Sequence, residues 1–167
     1  MKKMALAFPM IVLVFLSGCA TMRPVQHVKE LPKTNKVLIG EIVFFKDLKD
    51  KQRIDSGHPD YQELIGFYKA ELAKELNEKG FLIQGLADGE SLVLKTKINN
   101  YPAPLGGMLG ALAMGLVRAR VEVYFDSKLV YTFEEAANTT LGFSGKLQLR
   151  RFVVPRVAKR LERQFFP

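Results

Sequence analysis

Residues 118–134 read RARVEVYFDSKLVYTFE, and this stretch decides the fold class. Its first half alternates apolar Val121, Val123 and Phe125 with other residues, which is typical of a β-strand with one buried face. The polar triplet at 126–128 predicts a tight turn, and residues 129–134 predict a second strand. Strand character resumes in places as far as residue 143. The stretch therefore predicts an antiparallel hairpin.

Three more strands precede this hairpin. Residues 91–101 alternate in the same way, and residues 81–84 form a short strand that a turn joins to them. The first strand, VLIGEIVFF at 37–45, is apolar at nearly every position. That pattern predicts a central strand buried on both faces.

Two helices complete the pattern. The first spans about 60–79, with Asp60 as its N-cap and Gly80 as its C-terminal stop. The second spans about 152–166, with apolar residues at every fourth position and Pro155 in its first turn. Together the elements predict an α+β fold, a two-layer sandwich in which two helices pack on one face of a mostly antiparallel sheet of four to five strands.

The N-terminus has the order of a secretory signal peptide. Two lysines precede a 13-residue apolar core, and small residues follow at 17 and 18. The sequence Leu16-Ser17-Gly18-Cys19 resembles the lipobox of bacterial lipoproteins, in which the cysteine becomes the acylated first residue. Cys19 is the only cysteine of the chain. The absence of aspartate after it implies, by the same resemblance, sorting to the outer membrane.

These features divide the chain into three parts. Residues 1–18 are the expected lipoprotein signal peptide, and 19–36 are the expected lipidated N-terminus and flexible tether, which carries two prolines and no apolar period. Residues 37–167 are the expected single domain in the periplasm. The length of 167 residues is consistent with one domain.

The excess positive charge lies at the C-terminus. Residues 146–167 hold seven basic residues and one acidic residue, while the rest of the mature chain is balanced. At helical spacing, Arg156, Lys159, Arg160 and Arg163 share one face. This face is interpreted either as a binding surface for anionic lipid or an acidic envelope protein, or as the solvated side of an ordinary helix. Nucleic acid is disfavoured as a partner because an exported lipoprotein does not normally meet it.

The segment 105–117, LGGMLGALAMGLV, is uncharged and rich in glycine. It has small residues at helical spacing, which in membrane helices permits close backbone approach, and it is too short to span a bilayer as one helix. It is interpreted either as a contact with membrane or with another protomer, or as a pliable connection packed on its own domain. The candidate interface residues are Gly106, Gly107, Gly110, Ala111 and Gly115.

The catalytic motifs that we compared with this sequence do not match it. Residues 142–146, GFSGK, begin like the nucleophile elbow GxSxG, but Lys146 stands where the last glycine is required. The chain has two histidines, and its acidic residues do not match a calcium-loop spacing. We therefore expect no catalytic residue, no metal site and no cofactor, and a protein that is not an enzyme.

Residues 61–166 resemble a loose group of small bacterial outer-membrane lipoproteins, the YajG-like group among them. The resemblance rests on a helix ending in NEKGF at 77–81, the strand LVLKTKINNY at 92–101, the hairpin at 118–131 and the closing helix. It implies a lipid-anchored periplasmic domain and transfers no catalytic residue.

The expected function is accordingly that of a non-catalytic binding or assembly module, anchored to the outer membrane through Cys19. The alternative is a subunit of a homo-oligomeric envelope or secretion assembly that uses residues 105–117 for membrane insertion or protomer contact.

Overall fold

The computed structural model describes residues 23–45, 59–101, 115–139 and 145–167. Within these ranges the fold consists of six strands, one long helix, and a C-terminal helix that contains a π-helical turn. In chain order the elements are β1 (Val25–Gln26), β2 (Lys36–Phe45), α1 (Pro59–Glu78), β3 (Leu82–Ile83), β4 (Leu92–Tyr101), β5 (Gly115–Phe125), β6 (Lys128–Thr139), α2 (Gly145–Gln148), a π-helical turn (Leu149–Val153) and α3 (Val154–Phe165).

The strands form one sheet in the order β1-β6-β5-β4-β2-β3. Strands β4, β5 and β6 form an antiparallel meander, β1 lies antiparallel to β6, and β2 is parallel to both of its neighbours. The predicted α+β class is confirmed. The predicted number of four to five strands is wrong, because six strands pair within the described residues, and two of them are only two residues long.

The hairpin predicted from 118–134 is the pair β5–β6. Its turn holds Asp126 at φ 48° and Ser127 at φ 60°. Two successive positive φ values are those of a type I′ turn, whose twist matches the twist of the strands it joins. Beyond the turn, β6 is longer than the predicted strand and continues to Thr139.

One face of the sheet and the inner sides of the helices form the core. Side chains from β4, β5 and α3 fill it, with Leu94, Val121 and Leu161 fully buried. Helix α1 adds Tyr68, whose burial raises the pKa of its hydroxyl. The core therefore lies between two layers, as the sequence predicts.

From its apolar sequence we expected strand β2 to be buried on both faces, and this prediction is wrong. Val37 and Ile39 are buried, Glu41 is exposed, and Ile42 is buried again. The pairing with β4 shifts between Ile39 and Ile42, so an irregularity returns the apolar residues to the core side. Gly40 lies at this shift, and a Cβ there would be 3.0 Å from the carbonyl oxygen of Leu94.

Helix α1 ends in a Schellman motif. The amide of Phe81 donates to the carbonyl of Leu76 at 3.0 Å, and the amide of Gly80 donates to the carbonyl of Asn77 at 2.9 Å. Gly80 has φ +85°, a left-handed conformation that favours glycine. The predicted C-terminal stop at Gly80 is therefore confirmed.

The C-terminal helix begins earlier than predicted, at Gly145 instead of about Phe152. The chain passes from α2 into α3 through the π-helical turn, in which the amide of Val154 donates to the carbonyl of Leu149. Pro155 follows directly at the first turn of α3. A proline lacks the N–H that a regular helix would use, and the wider turn leaves space for its ring.

Residues 23–36, which we expected to be part of a flexible tether, instead lie against the domain. Val25 and Gln26 pair with Thr132 and Tyr131 of β6. Val28 and Leu31 pack against the core, and the amide of Thr34 donates to the carbonyl of Phe165 at 2.9 Å. The folded domain therefore begins before residue 37, and the predicted tether residues 19–22 lie outside the described part of the chain.

Candidate functional site

The four basic residues predicted on one helix face surround one groove. Arg156, Lys159, Arg160 and Arg163 of α3 line it together with Gln164 and, from β6, Glu135. Its volume is about 240 Å³. Four cationic side chains and a single carboxylate thus meet at a concave surface between a helix and a strand. We call this surface the basic groove.

Arg160 is held in place by the floor of the basic groove. Its Nε donates to Oε1 of Glu135 at 2.6 Å, and its guanidinium lies 5.5 Å from the centre of the Phe133 ring. Burial lowers the pKa of Arg160, but the hydrogen bond and the charge of Glu135 outweigh it, and the pKa is raised. Arg160 is therefore always charged, and the carboxylate of Glu135 compensates part of its positive charge.

Arg156 is held in a different way. Its Nη1 donates to the backbone carbonyl of Ala136 at 2.8 Å, and its guanidinium lies 6.0 Å from the centre of the half-exposed Phe152 ring. A carbonyl on the outer side of a strand is a group that another strand could use. Arg156 occupies this acceptor, and because a carbonyl is neutral, this hydrogen bond leaves the positive charge of the guanidinium in place.

Glu135 is well placed to organise the groove. It is paired in register with Ala119 of β5, so its side chain lies on the face of the sheet that the helices cover. Only 10% of the side chain is exposed. A buried carboxylate needs a charged partner, and Arg160 provides it.

Lys159 and Arg163 remain at the rim of the groove and are exposed. The side chains that line the groove carry four positive charges and one negative charge, so the groove has a net positive charge. Guanidinium and ammonium groups around a concave surface bind oxyanions such as phosphate or carboxylate. This arrangement of side chains fits the binding of an oxyanion.

The opposite face of the sheet is also charged, and several of its charges form ion pairs. Glu122 lies 3.0 Å from Nζ of Lys97, and this pairing outweighs partial burial and lowers the pKa of Glu122. Arg118 lies 3.1 Å from Glu134, and Nζ of Lys95 lies 5.0 Å from the centre of the Tyr124 ring. Each of these two carboxylates is therefore paired with one or more cations, and unlike the groove that face is sheet surface without a helix rim in the described part of the chain.

Several predicted site residues lie outside the described residues. These are the lipidation residue Cys19 and four of the five candidate interface residues, Gly106, Gly107, Gly110 and Ala111. The fifth, Gly115, is the first residue of β5 and pairs with Thr139. A helical row of small residues therefore does not extend to Gly115, because that residue is in a strand.

Within the described ranges, no group of three or more His, Cys, Asp or Glu side chains could hold a metal ion. No helix among the same residues is both long enough and apolar enough to cross a membrane.

Sequence reasoning missed Glu135 as a member of the site. The helical spacing of the basic residues locates the groove on α3, but only the packing of α3 on β6 brings Glu135 to it. A weak signal was present in the adjacent pair Glu134-Glu135, since two carboxylates on opposite faces of one strand each need a cationic partner.

Comparison with known proteins shows the fold of this chain and no family. No family profile matches the sequence, and no curated protein matches it. Two structures of the PelC dodecamer from Paraburkholderia phytofirmans are similar, with TM-scores of 0.55 and 0.54 and 13% sequence identity in both cases. The alignments cover 84% and 87% of this chain and 95% and 97% of the PelC chain.

A minor lipoprotein from Acinetobacter baumannii is a more distant match, with a TM-score of 0.42, 16% identity, and coverage of 80% of this chain and 92% of that one. The fold shared with PelC spans nearly the whole PelC chain. At 13% identity, the likeness establishes a common architecture.

Proposed function

We propose that this chain is a non-catalytic binding module of the cell envelope, anchored to the outer membrane by acylation of Cys19. The observation that carries the proposal is the basic groove, which gathers four cations around one carboxylate and has two of them, Lys159 and Arg163, exposed at its rim. The lipobox supports the anchor, because a cysteine that closes a signal peptide is the acylated residue in bacterial lipoproteins. The groove then acts as a binding surface held close to a membrane.

The anchor is tested by metabolic labelling with a clickable fatty acid in a bacterial host. The wild-type chain takes up the label, and Cys19→Ala takes up none and keeps its signal peptide. The matched control is Ala20→Ser, one residue further on, which retains the thiol and takes up label. Label that persists on Cys19→Ala would overturn the proposed anchor.

A second candidate function is that of a subunit in a homo-oligomeric envelope assembly. The observation that favours it is the similarity in fold to PelC, which forms a dodecamer in both structures. In this candidate the glycine-rich residues that precede β5, 105–114, provide close contacts between protomers.

Sedimentation of the acylated protein in mild detergent separates the two candidates. An assembly sediments as an oligomer, and Ala111→Leu reduces it to monomers while the melting temperature is kept. Ala87→Leu adds the same bulk at an exposed position and serves as the control. If the wild-type protein is a monomer at every concentration, the oligomeric candidate is wrong and the tethered binding module remains.

A further inference from the structure

The antiparallel pairing of β1 with β6 determines where the anchored N-terminus leaves the domain. Val25 lies opposite Thr132, and Gln26 lies opposite Tyr131. Arg23 and Pro24, the described residues that precede Val25, therefore enter β1 from the end of this edge at which residue 133 and its successors lie. The basic groove uses Glu135 and Ala136 of this same strand.

The distances along the edge are short. Glu135 is three residues from Thr132, which corresponds to about 10 Å at the rise of a β-strand. Cys19 is six residues before Val25, so a fully extended chain separates them by at most about 20–22 Å. An acyl group on Cys19 therefore keeps Val25 within about 20–22 Å of the lipid surface, and Glu135 of the groove lies about 10 Å along the edge from the residue that pairs with Val25.

The charges of this edge match an anionic lipid surface. Lys159 and Arg163 are exposed at the groove rim, and Arg23 is exposed at the start of the described chain. The far edge of the sheet differs, since Lys36 there is paired with Asp88 and Glu90. At physiological salt, charge attraction acts over about 8 Å, so it orients a domain only after an anchor has brought it close.

We propose that the basic groove binds the phosphate groups of anionic phospholipids in the membrane that holds the anchor, so that α3 lies on the lipid surface. This inference rests on the proposed acylation of Cys19. The acyl chains hold the protein to the membrane, and the groove provides the second signal that fixes its orientation. Phosphate oxygens accept hydrogen bonds from Arg163 and Lys159, while Glu135 keeps Arg160 in position below them.

The chain itself provides a clean way to test this orientation. Because Cys19 is the only cysteine and is acylated, a second cysteine is the single free thiol for a fluorescent label. Gln164→Cys places the label at the groove, and Ala70→Cys places it on the exposed side of α1, which packs over β2 and away from β6. Both acylated proteins are reconstituted into vesicles of phosphatidylcholine with or without phosphatidylglycerol and a headgroup spin label.

The spin label is expected to quench the fluorophore at position 164 strongly and the one at position 70 weakly, and only when phosphatidylglycerol is present. Lys159→Glu with Arg163→Glu removes that quenching, as does high salt. Lys69→Glu makes the same type of charge change on α1 and leaves the quenching intact. Circular dichroism verifies that every variant is folded.

Two failures can be told apart by flotation of the vesicles. Protein that does not float with the lipid lacks the anchor, and both the proposed function and this inference are then wrong. Protein that floats, but shows equal quenching at the two positions or quenching that ignores lipid charge, keeps its anchor and overturns the orientation alone.

Discussion

The ion pair between Glu135 and Arg160 should be strongly asymmetric in its effect on stability. The carboxylate side chain is 10% exposed and the guanidinium side chain is 33% exposed, with 2.6 Å between Oε1 and Nε. Removal of Arg160 therefore leaves a nearly buried charge without its partner, whereas removal of the charge on Glu135 leaves a cation that water can reach. The first change costs more than the second.

The magnitudes follow from this difference in exposure. Fully buried pairs lose about 3–5 kcal/mol when one partner is removed. Since Arg160 is partly hydrated already, we expect about 2–3 kcal/mol for Arg160→Met and about 1 kcal/mol for Glu135→Gln. The double variant should recover part of the loss, with a coupling energy of about 1–2 kcal/mol.

Urea unfolding of residues 20–167, followed by far-UV circular dichroism, measures the free energies. A loss of 2–3 kcal/mol shifts the midpoint by about 1 M urea or more. Equal losses for the two single variants would refute the argument from burial. Strict additivity in the double variant would show that the two side chains do not stabilise each other.

Three further changes test the fold and its electrostatics. Leu161→Ala, at a fully buried position in the centre of the α3 stripe, should cost about 2–4 kcal/mol through the cavity it leaves, and calorimetry should show a lower melting temperature. Gly80→Ala should cost about 1–2 kcal/mol in urea unfolding, because φ is +85° and the new Cβ would be 3.1 Å from the ring of Phe166. The pKa of Asp88 is lowered from 3.8 to about 2, first by the hydrogen bond from Ser91 and then by Lys36. Ser91→Ala should raise this pKa in an NMR titration. The stabilisation of the fold by the charged Asp88 is present above about pH 4 and should be lost as the pH falls towards 2.

The sequence predicts the elements that have a clear period. Strands β4 and β5 alternate cleanly and α1 has a C-terminal signal, so the structure agrees with the predicted bounds within two or three residues at each end. The predicted N-cap Asp60 is wrong, because α1 begins at Pro59 and Asp60 lies inside its first turn. The pairing partners are harder to predict. Strand β2 lies beside β4 in parallel, across the α1 connection, and no local pattern encodes which strand will be its neighbour.

The remaining differences arise where the pattern is too short or interrupted. Strand β1 has two residues, which is too few for a period. The helix start at Gly145 is hidden because the π-helical turn breaks the regular spacing. For the basic groove, helical spacing is enough to bring the four cations together, but the carboxylate that organises them comes from a strand 20 residues or more away in the chain.

The π-helical turn also sets the rotational phase of the closing helix. Buried residues recur at every fourth position, at Leu149, Val153, Val157, Leu161 and Phe165. In a regular α-helix each step of four residues overshoots a full turn by about 40°, so four steps would drift by about 160° and leave the apolar stripe. One extra residue taken up in the turn removes about 100° of that drift. Deletion of a single residue at 149–153 during evolution would therefore rotate the four cationic residues of the basic groove by about a quarter of a turn around the helix axis, away from Glu135. None of these four residues would itself have changed.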